Sequence, residues 1–162
     1  MARIYVGVGS NMNRSSNIRS GIVALRERFG ELLLSSVYDS EAVGFDGANF
    51  FNLVAGFDSE QSVQGVVESL RSIEAGHGRK RGENRFAPRP LDLDLLLYDD
   101  LILSEGQVHV PRDEIMKYAF VLRPLAEIAP QRLHPVVGRS FADLWQEFDN
   151  VEQQLSPVDI WL

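Results

Sequence analysis

The chain has 162 residues, 44% of them hydrophobic and 24% charged, which suits one ordinary globular domain with a real core spanning residues 1–162. Its net charge of −7 opposes general attraction to DNA, RNA or an anionic membrane, and the absence of cysteine excludes disulfides and thiolate metal sites. No apolar run approaches the ~20 residues of a membrane helix, and Met1-Ala2-Arg3 leads into a strand pattern without a signal-peptide core, so a cytoplasmic location is expected.

Ile4 to Asn11 opens with β-branched and aromatic residues and ends in turn formers, the pattern of a strand running into a loop. Ser15 or Ser16 is placed to cap a helix whose apolar positions Ile18, Ile22, Leu25 and Phe29 recur at helical spacing, with Gly30 as its stop. Leu32 to Ser40 reads as the next strand, and a loop containing Gly44 and Gly47 leads to a third, Phe51 to Phe57. Ser59 or Ser62 caps a second helix with Val63, Val66, Val67, Leu70 and Ile73 on its core stripe, ending at Gly76 or Gly78. His77 to Arg89 carries Arg79, Lys80, Arg81, Arg85 and Arg89 with almost no apolar residue, and long loops of this kind in compact domains are usually functional.

The strand that follows alternates Leu91, Asp92, Leu93, Asp94, Leu95, the mark of two unlike faces. Leu91, Leu93, Leu95 and Leu97 are expected to face a core, leaving Asp92 and Asp94 side by side on the other face, about 7 Å apart. Two adjacent carboxylates repel each other, and a hard cation with oxygen ligands and a partial water shell, Mg²⁺ above all, suits them. A lone Asp-x-Asp reads as a solvated face just as a lone basic loop reads as a soluble one. Their adjacency, stiffened by Pro88 and Pro90, points to phosphoryl transfer, which needs metal-binding carboxylates beside guanidinium forks.

Downstream, Asp99-Asp100 turns the chain, and Leu101 to Leu103 can pair back with Val108-His109-Val110. Residues 113 to 129 read as a helix that Pro124 kinks or splits. A last amphipathic helix is expected from about Ser140 to Phe148, and the tail to Leu162 is loosely patterned. The order strand, helix, strand, strand, helix, strand over residues 3 to 98 implies an α+β fold with a ferredoxin-like β-α-β-β-α-β sheet. Additional C-terminal helices would place helices on both faces.

Phe86-Ala87-Pro88-Arg89-Pro90-Leu91-Asp92-Leu93-Asp94-Leu95-Leu96-Leu97 resembles the signature of the 6-hydroxymethyl-7,8-dihydropterin pyrophosphokinase family. The likeness extends to Gly9-Ser10-Asn11, Phe50-Phe51-Asn52, Phe120-Val121-Leu122-Arg123-Pro124-Leu125 and Glu127-Ile128-Ala129-Pro130. It implies an ATP- and Mg²⁺-dependent enzyme of folate biosynthesis that moves pyrophosphate from ATP to a reduced hydroxymethylpterin. Asp92 and Asp94 would hold two Mg²⁺ ions. Arg79 and Arg89 would be catalytic cations, with Arg81 beside them on the phosphates. Glu74, Leu95, His109 and Arg112 fall at positions toward the nucleotide. Phe50 and Phe120 would sandwich the pterin ring, Asn52 would read its amide edge, and Ser40, Glu41, Ala42 and Val43 would supply the remaining contacts. ATP and the pterin are the partners implied, with no nucleic acid or membrane, for a monomer.

The chemistry of these residue types fits those roles, since a flat heteroaromatic ring binds well between aromatic faces and Asn offers both a donor and an acceptor. As plain structure, Phe50 and Phe120 read as core, whereas Asn is depleted in strands. The chain departs from the family pattern at Arg112, where His is common, at Tyr118, where Arg is common, and at Ala42, where Pro is usual. Arg112 is expected to supply the charge that Tyr118 lacks. The departures leave room for a second reading, a catalytically weak paralogue that binds ATP or a pterin. A nucleic-acid binding module is disfavoured because the sheet face beside the cations carries Asp92 and Asp94.

Overall fold

The computed structural model describes residues 1–41, 49–78 and 89–162. Ala42, Val43, Arg79 and Arg81 lie outside the described residues. The sheet is built around β1 (Ala2–Ser10), which pairs antiparallel with β4 (Phe50–Ser59) on one side and β5 (Asp92–Tyr98) on the other. Beyond β4 lie β3 (Val37–Ser40) and β8 (Leu155–Val158), and the two-residue β2 (Leu33–Leu34) also pairs with β4, so the strand order is β5-β1-β4-β3-β8.

Alternation along β1 sorts side chains to two cores. Ile4, Val6 and Val8 pack with Phe51, Leu53, Ala55 and Phe57 of β4 against α1 (Arg14–Phe29) and α2 (Val63–Gly76). Tyr5 faces the opposite side, where Val54 and Leu96 meet α3 (Ala119–Ile128) and α4 (Phe141–Glu147). The sheet is therefore antiparallel throughout its main path, with helices on both faces. A separate hairpin pairs β6 (Leu103–Glu105) with β7 (Val108–Val110), so the hairpin expected after Asp99-Asp100 forms, but its first strand starts at Leu103 instead of covering Leu101 to Leu103. No helix among the described residues is long and apolar enough to cross a membrane.

Five local expectations are corrected by the structure. Leu97 does not share a core with Leu91, Leu93 and Leu95. Tyr5 pairs with Leu97 and Val6 with Leu95, and this bulge turns Leu97 to the α3 side. The α1 N-cap is Asn13 in the left-handed region at φ 46°, not Ser15 or Ser16, while Ser62 does cap α2 by accepting from Gly65 N–H at 3.1 Å. The strand expected over 32–40 is split, because Ser35 Oγ accepts from Val54 N–H and Ser36 turns to donate its N–H and hydroxyl to Glu127 of α3.

The segment 113–129 breaks at Lys117 and Tyr118, between a 3₁₀ turn (Asp113–Met116) and α3, rather than at Pro124. Pro124 sits within α3 and removes the single N–H that would reach the Phe120 carbonyl. The tail, finally, forms β8 on the free edge of β3, where Pro157 is tolerated because an edge strand has one side with no ladder to complete.

Candidate active site

Three neighbouring strands bring the predicted residues into register. Across β5, β1 and β4 one row reads Asp92, Gly9, Asn52, and the next reads Asp94, Gly7, Val54. These side chains point to the α3 side, where β1 offers glycines in place of bulk. The result is a flat backbone floor with carboxylates along one margin and an amide along the other. Asn52 lies so close over Gly9 that a Cβ there would stand 2.7 Å from Asn52 Oδ1.

This floor opens into a cleft of ≈ 240 Å³ whose lining includes Asp92, Asp94, Asn52, Ser40 and Glu41. Phe50 and Phe120 line it too, Phe50 from the start of β4 and Phe120 from the first turn of α3. The ring of Phe120 stacks on Tyr118 with centroids 5.2 Å apart and planes 18° apart, so one aromatic platform is two rings deep. Asn52 Nδ2 donates to Ser40 Oγ at 2.7 Å, a buried bond that fixes the amide with its oxygen over Gly9.

Cations and carboxylates alternate at the polar end. Arg89 Nη1 lies 3.5 Å from Asp92 Oδ2, and Arg112 Nη2 lies 3.6 Å from Asp94 Oδ1. Arg112 Nε also contacts Glu114 at 3.0 Å, so its guanidinium is held between two carboxylates at the rim. Arg89 is seated by Asn11, whose Oδ1 accepts from Arg89 N–H at 2.6 Å and whose N–H donates to the Arg89 carbonyl at 3.0 Å.

Glu74, Leu95 and His109 stand outside this cleft. Glu74 is buried at the end of α2, where its carboxylate accepts from Leu93 N–H and from Arg71 Nη1, both at 2.8 Å. Leu95 is buried in the core beneath α1 and α2. His109 is exposed on the hairpin, with Nε2 3.2 Å from Asp113. Beside them runs a groove of ≈ 600 Å³ lined by Glu68, Arg71, Gln107 and Arg112, and Arg112 is common to groove and cleft.

Several residues that build the site carry no structural role in the sequence reading: Gly7 and Gly9 make its floor, Asn11 holds Arg89 and Glu114 holds Arg112, while Tyr118, read there only as a missing charge, backs Phe120. The Gly-x-Gly spacing inside a strand was the available signal, because glycine in a strand often marks close approach by another group.

The family profile for 7,8-dihydro-6-hydroxymethylpterin-pyrophosphokinase (HPPK) matches residues 5–130. The chain belongs to the HPPK family. Among its curated relatives, the 2-amino-4-hydroxy-6-hydroxymethyldihydropteridine pyrophosphokinase of Aquifex aeolicus is 35% identical over 149 residues, covering 91% of this chain and 92% of the relative. The protein of the same name from Pseudomonas aeruginosa is 36% identical over 146 residues, covering 88% and 89%. Among solved structures, wild-type Plasmodium falciparum HPPK-DHPS is similar in fold, with a TM-score of 0.66 and 12% identity. That match covers 90% of this chain but 44% of the solved one, so the chain spans under half the length of that structure.

Proposed function

We propose that this protein transfers pyrophosphate from ATP to 6-hydroxymethyl-7,8-dihydropterin, giving AMP and the pterin diphosphate, as a step of folate biosynthesis. The observation that carries the reading is the cross-strand row Asp92, Gly9, Asn52. It sets a carboxylate and an amide on one floor, one strand apart on either side of Gly9, which supports a metal on one margin and a heterocycle on the other. Membership of the HPPK family supports it.

In this reading the pterin lies between Phe50 and Phe120, its amide edge toward Asn52 and its hydroxymethyl group toward Asp92 and Asp94. Burial of a flat ring between two aromatic faces orients it, and orientation is a large part of the rate in such transfers. The hydroxyl oxygen forms a bond to the β-phosphorus of ATP. The bond from the β-phosphorus to the oxygen bridging it to the α-phosphate breaks, that oxygen leaves with AMP, and the hydroxyl loses its proton. Arg89 and Arg112 stand where the polyphosphate would pass and offset its charge. Arg79 and Arg81 are proposed to add to them.

The donor set fits Mg²⁺. Asp92 and Asp94 are half-buried carboxylates facing the cleft, and among the described residues no third His, Cys, Asp or Glu joins them in a metal-holding group. Mg²⁺ prefers such a pair, because it keeps water and takes phosphate oxygens for the rest of its shell. Two ions bound there would neutralise phosphate charge and hold the reacting group in line.

Glu74, Leu95, His109 and Arg112 are assigned to the ATP side, with the groove of Arg71 and Gln107 as the path for the nucleotide. Ser40, Glu41, Ala42 and Val43 are assigned to the pterin. The order β5-β1-β4-β3 with α1 and α2 on one face supports the ferredoxin-like reading of the sheet. A single domain, acting as a monomer in the cytoplasm, completes the proposal. The test is AMP formation from ATP and Mg²⁺ with and without the pterin. AMP that requires the pterin supports the enzyme, and binding of ATP or pterin without AMP supports the weak paralogue.

A further inference from the structure

The helix that carries Phe120 is not capped by its own sequence. Tyr118, at its N-cap position, makes no side-chain capping bond, although the first N–H groups of any helix need acceptors. The acceptor comes from the tail. Gln153 Oε1 accepts from Ala119 N–H at 2.9 Å, and Gln153 Nε2 donates to the Lys117 carbonyl at 3.1 Å. One amide thus grips the backbone on both sides of Tyr118, next to a fully buried Ala119 and one residue before Phe120.

The same stretch of tail also reaches the opposite wall. Leu155 of β8 pairs with Ser40, whose hydroxyl fixes Asn52. Residues from Asp149 to Leu155 close a hollow of ≈ 540 Å³ whose lining shares Ser40, Glu41, Tyr118 and Phe120 with the cleft. Asp92 and Asp94 lie on β5 and Arg112 just before the 3₁₀ turn, not on α3 or β3, the elements that Gln153 and Leu155 contact. This segment also falls beyond residues 5–130, the part matched by the family profile.

We propose that Gln153 is a positioning residue for the acceptor: by capping α3 it holds the Phe120 ring at the cleft, and so governs affinity for the pterin rather than for ATP. The inference rests on the reading of the cleft as a pterin site.

Steady-state AMP formation by the full-length protein, with pterin and ATP varied separately, tests it. Gln153→Met keeps the side-chain length and removes both bonds. Its KM for the pterin should rise roughly tenfold, the scale of losing a partner for a buried N–H, with kcat and the ATP KM within about twofold. Gln153→Glu keeps an oxygen for Ala119 N–H but loses the donor to the Lys117 carbonyl, so its pterin KM should rise less than that of Gln153→Met. If Gln153→Met does not fold, Gln153→Asn, polar but one methylene short, should give the same split. An unchanged pterin KM overturns the inference, and so does a rise of both KM values together with a fall in kcat and Tm, or a Gln153→Glu variant that behaves as Gln153→Met does. Wild-type protein that forms no AMP with the pterin contradicts the reading of the cleft itself. Normal wild-type activity with an indifferent Gln153→Met overturns only the role of Gln153.

Discussion

Gly9 and Asn52 face each other across β1 and β4 with no room between them for a methyl group: a Cβ on Gly9 would stand 2.7 Å from Asn52 Oδ1. Gly9→Ala therefore has to push the Asn52 amide aside and weaken its bond to Ser40. We expect the pterin KM to rise roughly tenfold or more and stability to fall by about 1–3 kcal/mol, as overpacking usually costs, with the ATP KM little changed. Kinetics with each substrate varied in turn, together with urea denaturation, checks both parts.

Asp94 lies on the floor beside Gly7, half-buried, with Arg112 3.6 Å away. Asp94→Asn keeps its shape and removes its charge. Turnover should fall by roughly 10³ or more, because metal and charge neutralisation carry this kind of transfer. Circular dichroism and Tm should stay near wild type. A variant that unfolds would make the pair structural.

Arg112 stands between Asp94 and Glu114 and lines both the cleft and the adjoining groove. If it supplies the charge that Tyr118 does not, Arg112→Ala should raise the ATP KM roughly tenfold, the scale of a lost charged hydrogen bond. The pterin KM should move little. An unchanged ATP KM would remove Arg112 from the nucleotide site.

Glu74 ties the end of α2 to β5 through Leu93 N–H and Arg71. Glu74→Ala leaves a buried N–H without its acceptor and Arg71 without its carboxylate. Stability should drop by about 2–4 kcal/mol in chemical denaturation. A loss below about 0.5 kcal/mol, the range of ordinary surface changes, would mean the contact is dispensable.

His134 Nδ1 accepts from the N–H groups of Val136 and Val137, at 3.1 Å and 3.2 Å, which it can do only unprotonated. Burial lowers its pKa below the ordinary value of about 6.5. The unfolded chain then binds the proton first as pH falls, so this stability is fully present above pH 6.5. It is lost progressively as pH falls through the folded pKa. Tm should decline between pH 7 and 5, and His134→Gln should flatten that slope.

What the sequence made legible was whatever repeats along one element. The alternation of Leu91 to Leu95 put Asp92 and Asp94 on one face, and the stripe of Val66, Leu70 and Ile73 marked α2. What escaped depends on partners distant in sequence. Leu97 changes sides because β1 and β5 slip by one residue at Tyr5, a property of the pair. Tyr118 ends one helical segment and opens another because Gln153, far along the chain, supplies the cap. Asn11 looked like turn composition until Arg89 came back beside it. The β8 strand has little apolar pattern of its own and exists because β3 offers an edge.

The most direct measurement follows the phosphorus. ATP labelled in its β-phosphoryl group is incubated with the protein, Mg²⁺ and 6-hydroxymethyl-7,8-dihydropterin, and the products are separated. Label is expected in the pterin diphosphate, with an equal amount of AMP. Label left in ATP, in free pyrophosphate or in ADP would contradict the proposed transfer.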